Sequence, residues 1–241
     1  MNYSNPTDRL LQILVTLGRS PQALSAKELS ASLGQPLSST YRHLNTLLRW
    51  GLAEEQGHGR YLPGPACLLL AKRFDRDSTL VSLAKPELRR LAELSKESVG
   101  LMLPSNGQVI CVELIDSPQP LRCCYQKGLA QPLLHGASAK TLLAHLEPSE
   151  LEALLTQQGL DASQHAALRE ELEQIRACGY STSLGEIDEG VWGVSAALLD
   201  SRGRLHGALS LMGPASRVQA RAEQLQRWTL ESAARVSARL D

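Results

Sequence analysis

Residues 25–52 have the pattern of two short helices joined by a tight turn, and this is the most restrictive pattern in the sequence. Ser25 and Glu28 have the spacing of a capping box, in which each side chain accepts a hydrogen bond from the other residue's backbone amide. Gly34 can adopt the left-handed conformation that ends a helix. Pro36 suits the start of a second helix, where its missing N–H removes no hydrogen bond. The sequence therefore predicts a helix-turn-helix.

The second helix of this pair, over residues 37–50, is predicted to have an apolar face and a polar face. The apolar side chains that share one face at helical spacing are Leu37, Tyr41, Leu44 and Leu48. The other face carries small and cationic side chains, which suit a helix lying in the major groove of DNA. The residues of this helix that we expect to contact bases and phosphates are Ser38, Ser39, Thr40, Arg42 and His43.

A β-hairpin is predicted after the helix pair. Residues 52–63 contain two short strand-like runs, separated by a turn with two glycines. An earlier helix that begins after Asn5 would complete the three-helix core of a winged helix. Arg60 on the wing and Lys27 in the helix pair complete the expected DNA contacts. An ordinary amphipathic helix would show the same period as residues 37–50. The turn before this helix and the hairpin after it are therefore what favour a DNA-recognition helix over an ordinary one.

The chain has 241 residues, enough for two domains of common size. Its formal net charge is zero, but the charge is unevenly distributed. Residues 1–80 have nine basic and six acidic side chains, whereas residues 81–241 have sixteen and nineteen. A mildly basic N-terminal part fits a DNA-binding module attached to a part that does not touch DNA. We predict a winged helix-turn-helix over residues 1–63, a linker helix over 64–78 and a second domain over 79–241.

The second domain mixes helical and strand-like patterns. Strand-like runs are predicted at residues 99–103, 109–115, 121–126, 191–199 and 205–211. The last two runs are joined by Asp200-Ser201-Arg202-Gly203, a strong hairpin signal. Helical patterns stand at both ends of this set of strands. The whole chain is therefore predicted to be an α+β protein of two domains, with a ligand-sensing C-terminal domain.

Cysteine and histidine spacing gives no sign of a metal site, a disulfide framework or a cofactor. The five cysteines include no CxxC pair, and the six histidines show no HxH or HxxxH pairing. Ser82 and Lys85 match S-x-x-K, but the partner motifs of that chemistry are missing. No signal sequence and no apolar run of about 20 residues is present. We therefore expect a reduced, soluble, cytoplasmic protein with no membrane partner, no cofactor and no catalytic residues.

Several segments in the same order resemble the IclR family of transcriptional regulators. In the N-terminal part these segments read LSAKELSASLGQPLSSTYRHLNTLLRWGLAEE and RYLPGP. In the C-terminal part they read VELIDSPQPLR, HGASAK, LEQIRACGY, EGVWGVSAAL and LHGALSLMGPASR. The resemblance implies a winged-helix DNA-binding domain, a linker helix and a GAF-like α/β effector-binding domain. It also implies operator DNA as a partner, a small-molecule effector, and a homodimer or homotetramer.

The resemblance places an effector pocket around the loop before the helix that starts near residue 137. The residues it assigns to this pocket are Gly136, Ala137, Ser138, Ser183, Gly193, Ser210 and Met212. Ala139 stands where the family usually has glycine, and Ser183 stands near a position that is commonly acidic. Gly193 replaces a frequent cysteine, and Met212 replaces the second of two serines.

These changes remove groups that would hydrogen-bond a small carboxylate. We expect an effector that is larger and less polar than glyoxylate or pyruvate, such as an aromatic or amphipathic acid or a heterocycle. A vestigial pocket is the alternative. The leading hypothesis for the chain is a metabolite-responsive DNA-binding regulator, most simply a repressor, of a catabolic or metabolic operon. The other hypotheses are a ligand-independent DNA-binding regulator and a small-molecule enzyme with a DNA-binding head.

Overall fold

The computed structural model describes residues 5–123, 125–158 and 160–241. The chain divides into two compact units, with the boundary between Ser78 and Thr79. The elements of the first unit are α1 (Pro6–Arg19), β1 (Leu24–Ser25), α2 (Ala26–Leu33), α3 (Leu37–Arg49), β2 (Ala53–Glu55), β3 (Arg60–Pro63) and α4 (Ala66–Asp77). Strand β3 pairs antiparallel with both β1 and β2, so that the hairpin forms a three-stranded wing beside the helices.

The turn between α2 and α3 forms as the sequence predicts. The amide of Ser25 donates to Glu28 Oε2 at 2.7 Å, and the amide of Glu28 donates to Ser25 Oγ at 3.2 Å. Such a cap stabilises a helix by about 1 kcal/mol. Gly34 ends α2 with φ +59°, a conformation that costs glycine little. The helices then enclose a small core formed by Ile13, Leu17, Ala26, Leu29, Leu44, Leu47, Ala53 and Tyr61.

The buried face of α3 differs from the predicted one. Leu37 and Tyr41 are exposed, whereas Leu47, which the predicted stripe omits, is buried with Leu44. Thr40 and His43 are buried on this same face. The hydroxyl of Thr40 can be buried because it donates to the carbonyl oxygen of Pro36 at 3.2 Å. The expectation that Thr40 and His43 lie on the exposed face is therefore wrong.

Helix α4 contributes no buried residue among those that the structure describes. Its large apolar side chains are more than two-fifths exposed in the single chain: they are Leu68, Leu69, Leu70 and Phe74. The start of the helix is held by two backbone hydrogen bonds, from Ala66 N to Gly51 O and from Cys67 N to Gly64 O, both 3.0 Å long. The remainder of α4 offers apolar surface that the first unit itself does not cover.

The second unit is built on one six-stranded sheet. Its elements are α5 (Thr79–Ser95), β4 (Ser98–Ser105), β5 (Gln108–Ile115), β6 (Ala130–Pro132), α6 (Ala137–Ala144), α7 (Pro148–Gln157), α8 (Ala162–Cys178), β7 (Tyr180–Leu184), β8 (Val191–Leu199), β9 (Leu205–Pro214), α9 (Ala215–Val218) and α10 (Ala222–Ser237). The strand order is β6-β5-β4-β9-β8-β7, and every neighbouring pair is antiparallel.

Helices cover both faces of this sheet. Helices α5 and α10 pack on one face, around Leu88, Leu101 and Leu209. Helices α6 and α8 pack on the other face, around Met102, Leu142 and Leu172. The prediction of an α+β chain with a winged helix-turn-helix and a GAF-like α/β domain is confirmed.

The strand predicted at residues 121–126 is wrong for the described residues of that stretch, which exclude Cys124. Strand β5 pairs instead with β6, whose register places Val109 opposite Gln131. Strand β7 was not predicted either, although it forms an edge of the sheet. Among the described residues, no helix is both long enough and apolar enough to cross a membrane.

Candidate DNA-binding face and effector pocket

The exposed side of α3 forms a shallow polar groove. The residues that line the groove are Ser38, Tyr41, Arg42, Asn45, Thr46 and Arg49. They recur every three or four residues, so they lie on one side of the helix, opposite the buried Leu44 and Leu47. In the described part of the chain, no salt bridge joins Arg42 or Arg49 to an acid. Both guanidinium groups are therefore available to an anionic partner.

The groove includes two of the predicted DNA-binding residues of α3, Ser38 and Arg42. Ser39 is half-buried beside it, and Lys27 is exposed on α2. The residues of the groove that sequence reasoning missed are Tyr41, Asn45, Thr46 and Arg49. If Leu44 and Leu47 are taken as the buried side of the helix, these four residues fall on the opposite, exposed side.

Burial also changes the chemistry of His43. The pKa of this imidazole is lowered, first by its burial and then by the nearby charges of Arg42 and Arg9. A neutral imidazole inside the helical core is not a cation for DNA phosphates. His43 therefore belongs to the packing of the first unit.

Arg60 lies on the wing strand β3, as predicted, but its guanidinium is engaged within the unit. Nη1 donates to the carbonyl oxygen of Ala23, and Nη2 lies 3.5 Å from Glu28 Oε1. These contacts hold the wing against the start of α2. The tip of the wing is His58, whose φ of +51° lies between two glycines that also have positive φ.

The second unit contains a pocket between the start of α6 and strands β8 and β9. All seven residues assigned to the effector site line this one pocket: Gly136, Ala137, Ser138, Ser183, Gly193, Ser210 and Met212. Four elements, α6, β7, β8 and β9, thus contribute the residues that the resemblance assigns to one site. Ser181 Oγ fixes the start of α6 by donating to the carbonyl oxygen of Ala137 at 2.9 Å. Within the described residues, no side chain caps the first turn of this helix.

A chain of hydroxyl groups forms the polar floor of the pocket. Ser210 Oγ donates to Ser195 Oγ at 2.8 Å, and Ser138 Oγ lies 2.9 Å from Ser210 Oγ. Because Ser210 has a single hydroxyl proton, Ser138 is the donor in that second bond. Ser138 therefore meets the cavity with its oxygen lone pairs.

Glycine at position 193 keeps the pocket open at its side. A Cβ atom added there would lie 3.3 Å from Ser183 Oγ and 3.8 Å from the Cβ of Ala137. A side chain at this position would thus press on the hydroxyl of Ser183 and would be in ordinary contact with Ala137. The remaining wall is mostly apolar and includes Val109, Cys123, Tyr125, Val191, Val194, Leu211 and Met212.

The loop of residues 185–190 closes the mouth of the pocket. Glu186 Oε2 accepts a hydrogen bond from Gly136 N at 2.9 Å, and Glu186 Oε1 accepts one from Lys140 Nζ at 2.7 Å. Ile187 lies against Gly136, where an added Cβ would be 3.0 Å from Ile187 Cγ1. Gly136 has φ +87°, so glycine is required there both for its conformation and for this close approach.

Lys140 is buried and is neutralised by two acids. Its ammonium lies 2.7 Å from Glu186 and 2.9 Å from Glu171. Burial lowers the pKa of Lys140, but hydrogen bonds to both glutamates outweigh burial, so the pKa is raised overall. This cation is therefore already paired and stands behind the pocket wall.

The residues that the structure describes include no group of three or more His, Cys, Asp or Glu side chains placed to hold a metal ion. Ser82 and Lys85 form no catalytic pair, because the ammonium of Lys85 bonds Glu113 Oε2 at 3.3 Å.

A winged helix-turn-helix with an exposed polar recognition helix, in one chain with an α/β domain that encloses a pocket, defines a DNA-binding regulator of the ligand-responsive class. The chain matches the family model described as IclR helix-turn-helix domain over residues 6–57. It matches the model described as Bacterial transcriptional regulator IclR C-terminal over residues 76–238. The protein belongs to the IclR family of transcriptional regulators.

Its relatives include repressors of metabolic operons. The acetate operon repressor of Salmonella typhimurium is 29% identical over 219 residues, which cover 87% of this chain and 80% of that protein. The HTH-type transcriptional regulator BhcR of Paracoccus denitrificans is 30% identical over 238 residues, or 95% of this chain and 85% of that protein. Regulators of this family bind operator DNA through the helix-turn-helix domain and respond to small molecules.

Solved structures share the fold. An IclR-family regulator from Brucella abortus aligns with a TM-score of 0.84 at 19% identity, over 100% of this chain and 94% of that chain. An IclR homologue from Microbacterium hydrocarbonoxydans in complex with 4-hydroxybenzoate aligns with a TM-score of 0.74 at 21% identity, over 97% of this chain and 98% of that chain.

Proposed function

We propose that the groove of α3 reads operator DNA, and that an organic effector in the pocket between α6, β8 and β9 controls this binding. The observation that supports the first part most strongly is the exposed row formed by Ser38, Arg42, Asn45 and Arg49 on a helix whose opposite side is buried. Repression of a catabolic or metabolic operon is the mode we propose, as for the relatives described as repressors.

The side chains of the groove suit base recognition. An asparagine can form two hydrogen bonds with adenine, and an arginine can form two with guanine. Asn45 lies at the middle of α3, with Arg42 one turn before it and Arg49 one turn after it. We assign base reading to Asn45 and phosphate contact to Arg42. Lys27, Ser38 and Ser39 would add backbone contacts near the start of the helix pair, and Arg60 would contribute from the wing only after leaving Glu28.

We propose that the functional form is a homodimer, or a tetramer built from dimers, in the cytoplasm. Helix α4 supports this, since the first unit leaves Leu68, Leu69, Leu70 and Phe74 exposed on it. Two copies of a weakly basic head would double the number of phosphate contacts. They would also read paired half-sites, which is the usual arrangement for helix-turn-helix dimers.

The pocket supports an effector with a substantial apolar part. Most of its lining is apolar, and its polar floor is a single chain of serine hydroxyl groups. Its cavity of about 60 Å³ is small beside the roughly 300–1,000 Å³ of typical ligand pockets. The larger effector expected from the sequence would therefore have to displace Ile187 from the mouth.

An enzymatic role has little support in the pocket. Catalysis of group transfer needs a nucleophile held next to a base, and the polar side chains at the floor are serines that bond one another. We propose a binding function for this pocket and no catalysis.

Operator binding by full-length protein tests the assignment of the groove. Fluorescence anisotropy with DNA from the promoter region of the protein's own gene would compare wild type, Asn45→Ala and Arg227→Ala. Arg227 is an exposed arginine of α10 and serves as the remote control. We expect Asn45→Ala to weaken operator binding about 5- to 100-fold, equivalent to about 1–3 kcal/mol, and the control to bind as wild type. Unchanged binding by Asn45→Ala would refute base reading by this residue.

A further inference from the structure

The charged side chains that line the effector pocket are acidic. Glu186 and Asp188 both line the cavity. Among the described residues that line it, there is no lysine or arginine, and His135 is the single side chain that could become a cation. Lys140, which contacts the lining residue Glu186, is shared between Glu186 and Glu171. The group formed by Lys140, Glu171 and Glu186 thus has a net charge of −1, before Asp188 is counted.

A carboxylate also lies next to the positive end of α6. The N-terminus of a helix attracts anions through its free amides and its dipole. Here the carboxylate of Glu186 already accepts the hydrogen bond from Gly136 N at 2.9 Å. An anionic ligand entering the cavity would have to approach this carboxylate or displace it, and displacement would separate Glu186 from Lys140.

Asp188 adds a second negative charge that the described residues do not offset. No described salt bridge involves Asp188. Asp188 and Tyr125 both line the cavity. Burial raises the pKa of Tyr125, and the nearby Cys111 and Asp188 raise it further. At the floor, Ser138 presents lone pairs rather than a proton. The inner surface therefore favours ligand groups that donate hydrogen bonds over groups that carry negative charge.

We infer that this pocket selects neutral effectors over anionic ones, and that Glu186 and Asp188 set this selection. The ligand class is a small neutral compound with an apolar part and a hydrogen-bond donor, such as an amide or an alcohol. This inference rests on the proposed effector pocket and narrows it, since a carboxylate ligand would meet uncompensated negative charge. Repulsion built against a wrong ligand is a common source of specificity.

The thiol of Cys123 offers a direct test, because it lies in the pocket wall. Iodoacetamide and iodoacetate have nearly the same shape and differ in charge. The rate at which each alkylates Cys123 reports how readily a neutral or an anionic small molecule enters. The exposed thiol of Cys178 supplies the reference rates. The protein is the full-length chain with Cys124→Ser, so that the analysed peptide contains one thiol.

The expected result is a preference for the neutral reagent. At low ionic strength, the ratio of iodoacetamide rate to iodoacetate rate should be about tenfold higher at Cys123 than at Cys178. Glu186→Gln and Asp188→Asn should each lower that ratio about threefold or more. Glu189→Gln removes the same charge from the same loop, but Glu189 does not line the pocket, so the ratio should stay within about twofold of wild type.

Two results would overturn the inference in distinguishable ways. Equal ratios at Cys123 and Cys178, or a ratio unchanged in both Glu186→Gln and Asp188→Asn, would show an accessible pocket without charge selection. That result would leave the proposed effector pocket intact. Failure of both reagents to modify Cys123, even in an Ile187→Ala variant with an opened mouth, would show that small molecules do not enter. That result would overturn the effector pocket together with the inference.

Discussion

Arg217 and Glu97 form a two-pronged ion pair inside the second unit. Arg217 Nε donates to Glu97 Oε1 at 2.7 Å, and Nη2 donates to Oε2 at 2.6 Å. Arg217 Nη1 also donates to the carbonyl oxygen of Leu121 at 3.0 Å. One side chain of α9 thus holds both the entry to β4 and the irregular segment after β5. Glu97 is 1% exposed, so its charge depends on this partner.

Loss of Arg217 is expected to be costly. Arg217→Ala would leave the Glu97 carboxylate buried and unpaired, which typically destabilises a protein by about 3–5 kcal/mol. The double variant Arg217→Ala/Glu97→Gln should recover part of that loss. Arg169→Ala breaks an exposed pair with Glu152 and should cost less than about 1 kcal/mol. Urea unfolding followed by circular dichroism measures all three, and equal losses for Arg217→Ala and Arg169→Ala would contradict the prediction.

Arg42 and Asn45 should differ in how they affect DNA binding. Arg42→Ala removes the proposed phosphate contact, so it should weaken binding to all sequences and lower the salt slope by about one. Asn45→Ala should instead relax base preference and leave the slope unchanged. Anisotropy titrations at several salt concentrations, with operator and scrambled DNA, separate the two effects. An unchanged slope in Arg42→Ala would argue against its contact with phosphate.

Thr40 should matter for stability and not for DNA contact. Thr40→Val keeps the shape of the side chain but removes its hydrogen bond to Pro36, at a cost of about 1 kcal/mol. Operator affinity should remain that of wild type at temperatures where the variant is folded. Ser38→Ala, in the groove, should show the opposite result, with weaker binding and an unfolding midpoint close to that of wild type. A large loss of affinity in folded Thr40→Val would restore Thr40 to the DNA-binding face.

The lowered pKa of His43 predicts a loss of stability on acidification. Below the pKa of histidine in the unfolded chain, about 6.5, the unfolded state binds a proton that the folded state resists. Stability is therefore fully present above that pH and falls below it, by at most about 1.4 kcal/mol per pH unit for one group. Burial also lowers the pKa of His145, which adds the same trend. His43→Leu should flatten the pH dependence of the urea midpoint between pH 7.5 and 5.5, and an unchanged slope would contradict this.

Gly136 should tolerate no side chain. Gly136→Ala places a Cβ 3.0 Å from Ile187 Cγ1 and forces a non-glycine residue to adopt φ +87°. Strain of this kind costs about 1–3 kcal/mol. In the double variant Gly136→Ala/Ile187→Ala, the clash with Ile187 should be relieved but the strain from the positive φ should remain. The stability of the double variant should therefore be only partly restored. Full restoration of the thermal unfolding midpoint would show that φ is not strained.

Local patterns in the sequence predict the first unit well, because its turns are determined by nearby residues. The capping box of Ser25 and Glu28 and the left-handed Gly34 both form as predicted. The side of α3 that is buried could not be chosen in this way. Stripes through Leu37 and Leu48 or through Leu44 and Leu47 have the same period, and packing against α1 and α2 decides between them.

Contacts between distant residues account for what the sequence did not predict in the second unit. Strands β6 and β7 are short and lie at the two edges of the sheet. They are recognised as strands mainly by their pairing with β5 and β8, and the local sequence does not reveal that pairing. The resemblance assigns seven residues to the pocket, but Glu186 is not among them. Its role depends on Gly136, which is 50 residues away in the chain and 2.9 Å away in space.

Because the described helix α4 has no buried residue, its conformation would depend on protein concentration in the proposed dimer. An isolated helix of 12 residues is marginal in water, so α4 needs contacts from outside its own unit to remain helical. A helix of this length measures about 18 Å, whereas the same residues fully extended reach about 40 Å. For the proposed dimer, dilution below the association threshold would therefore lengthen and loosen the segment that leads to residue 79.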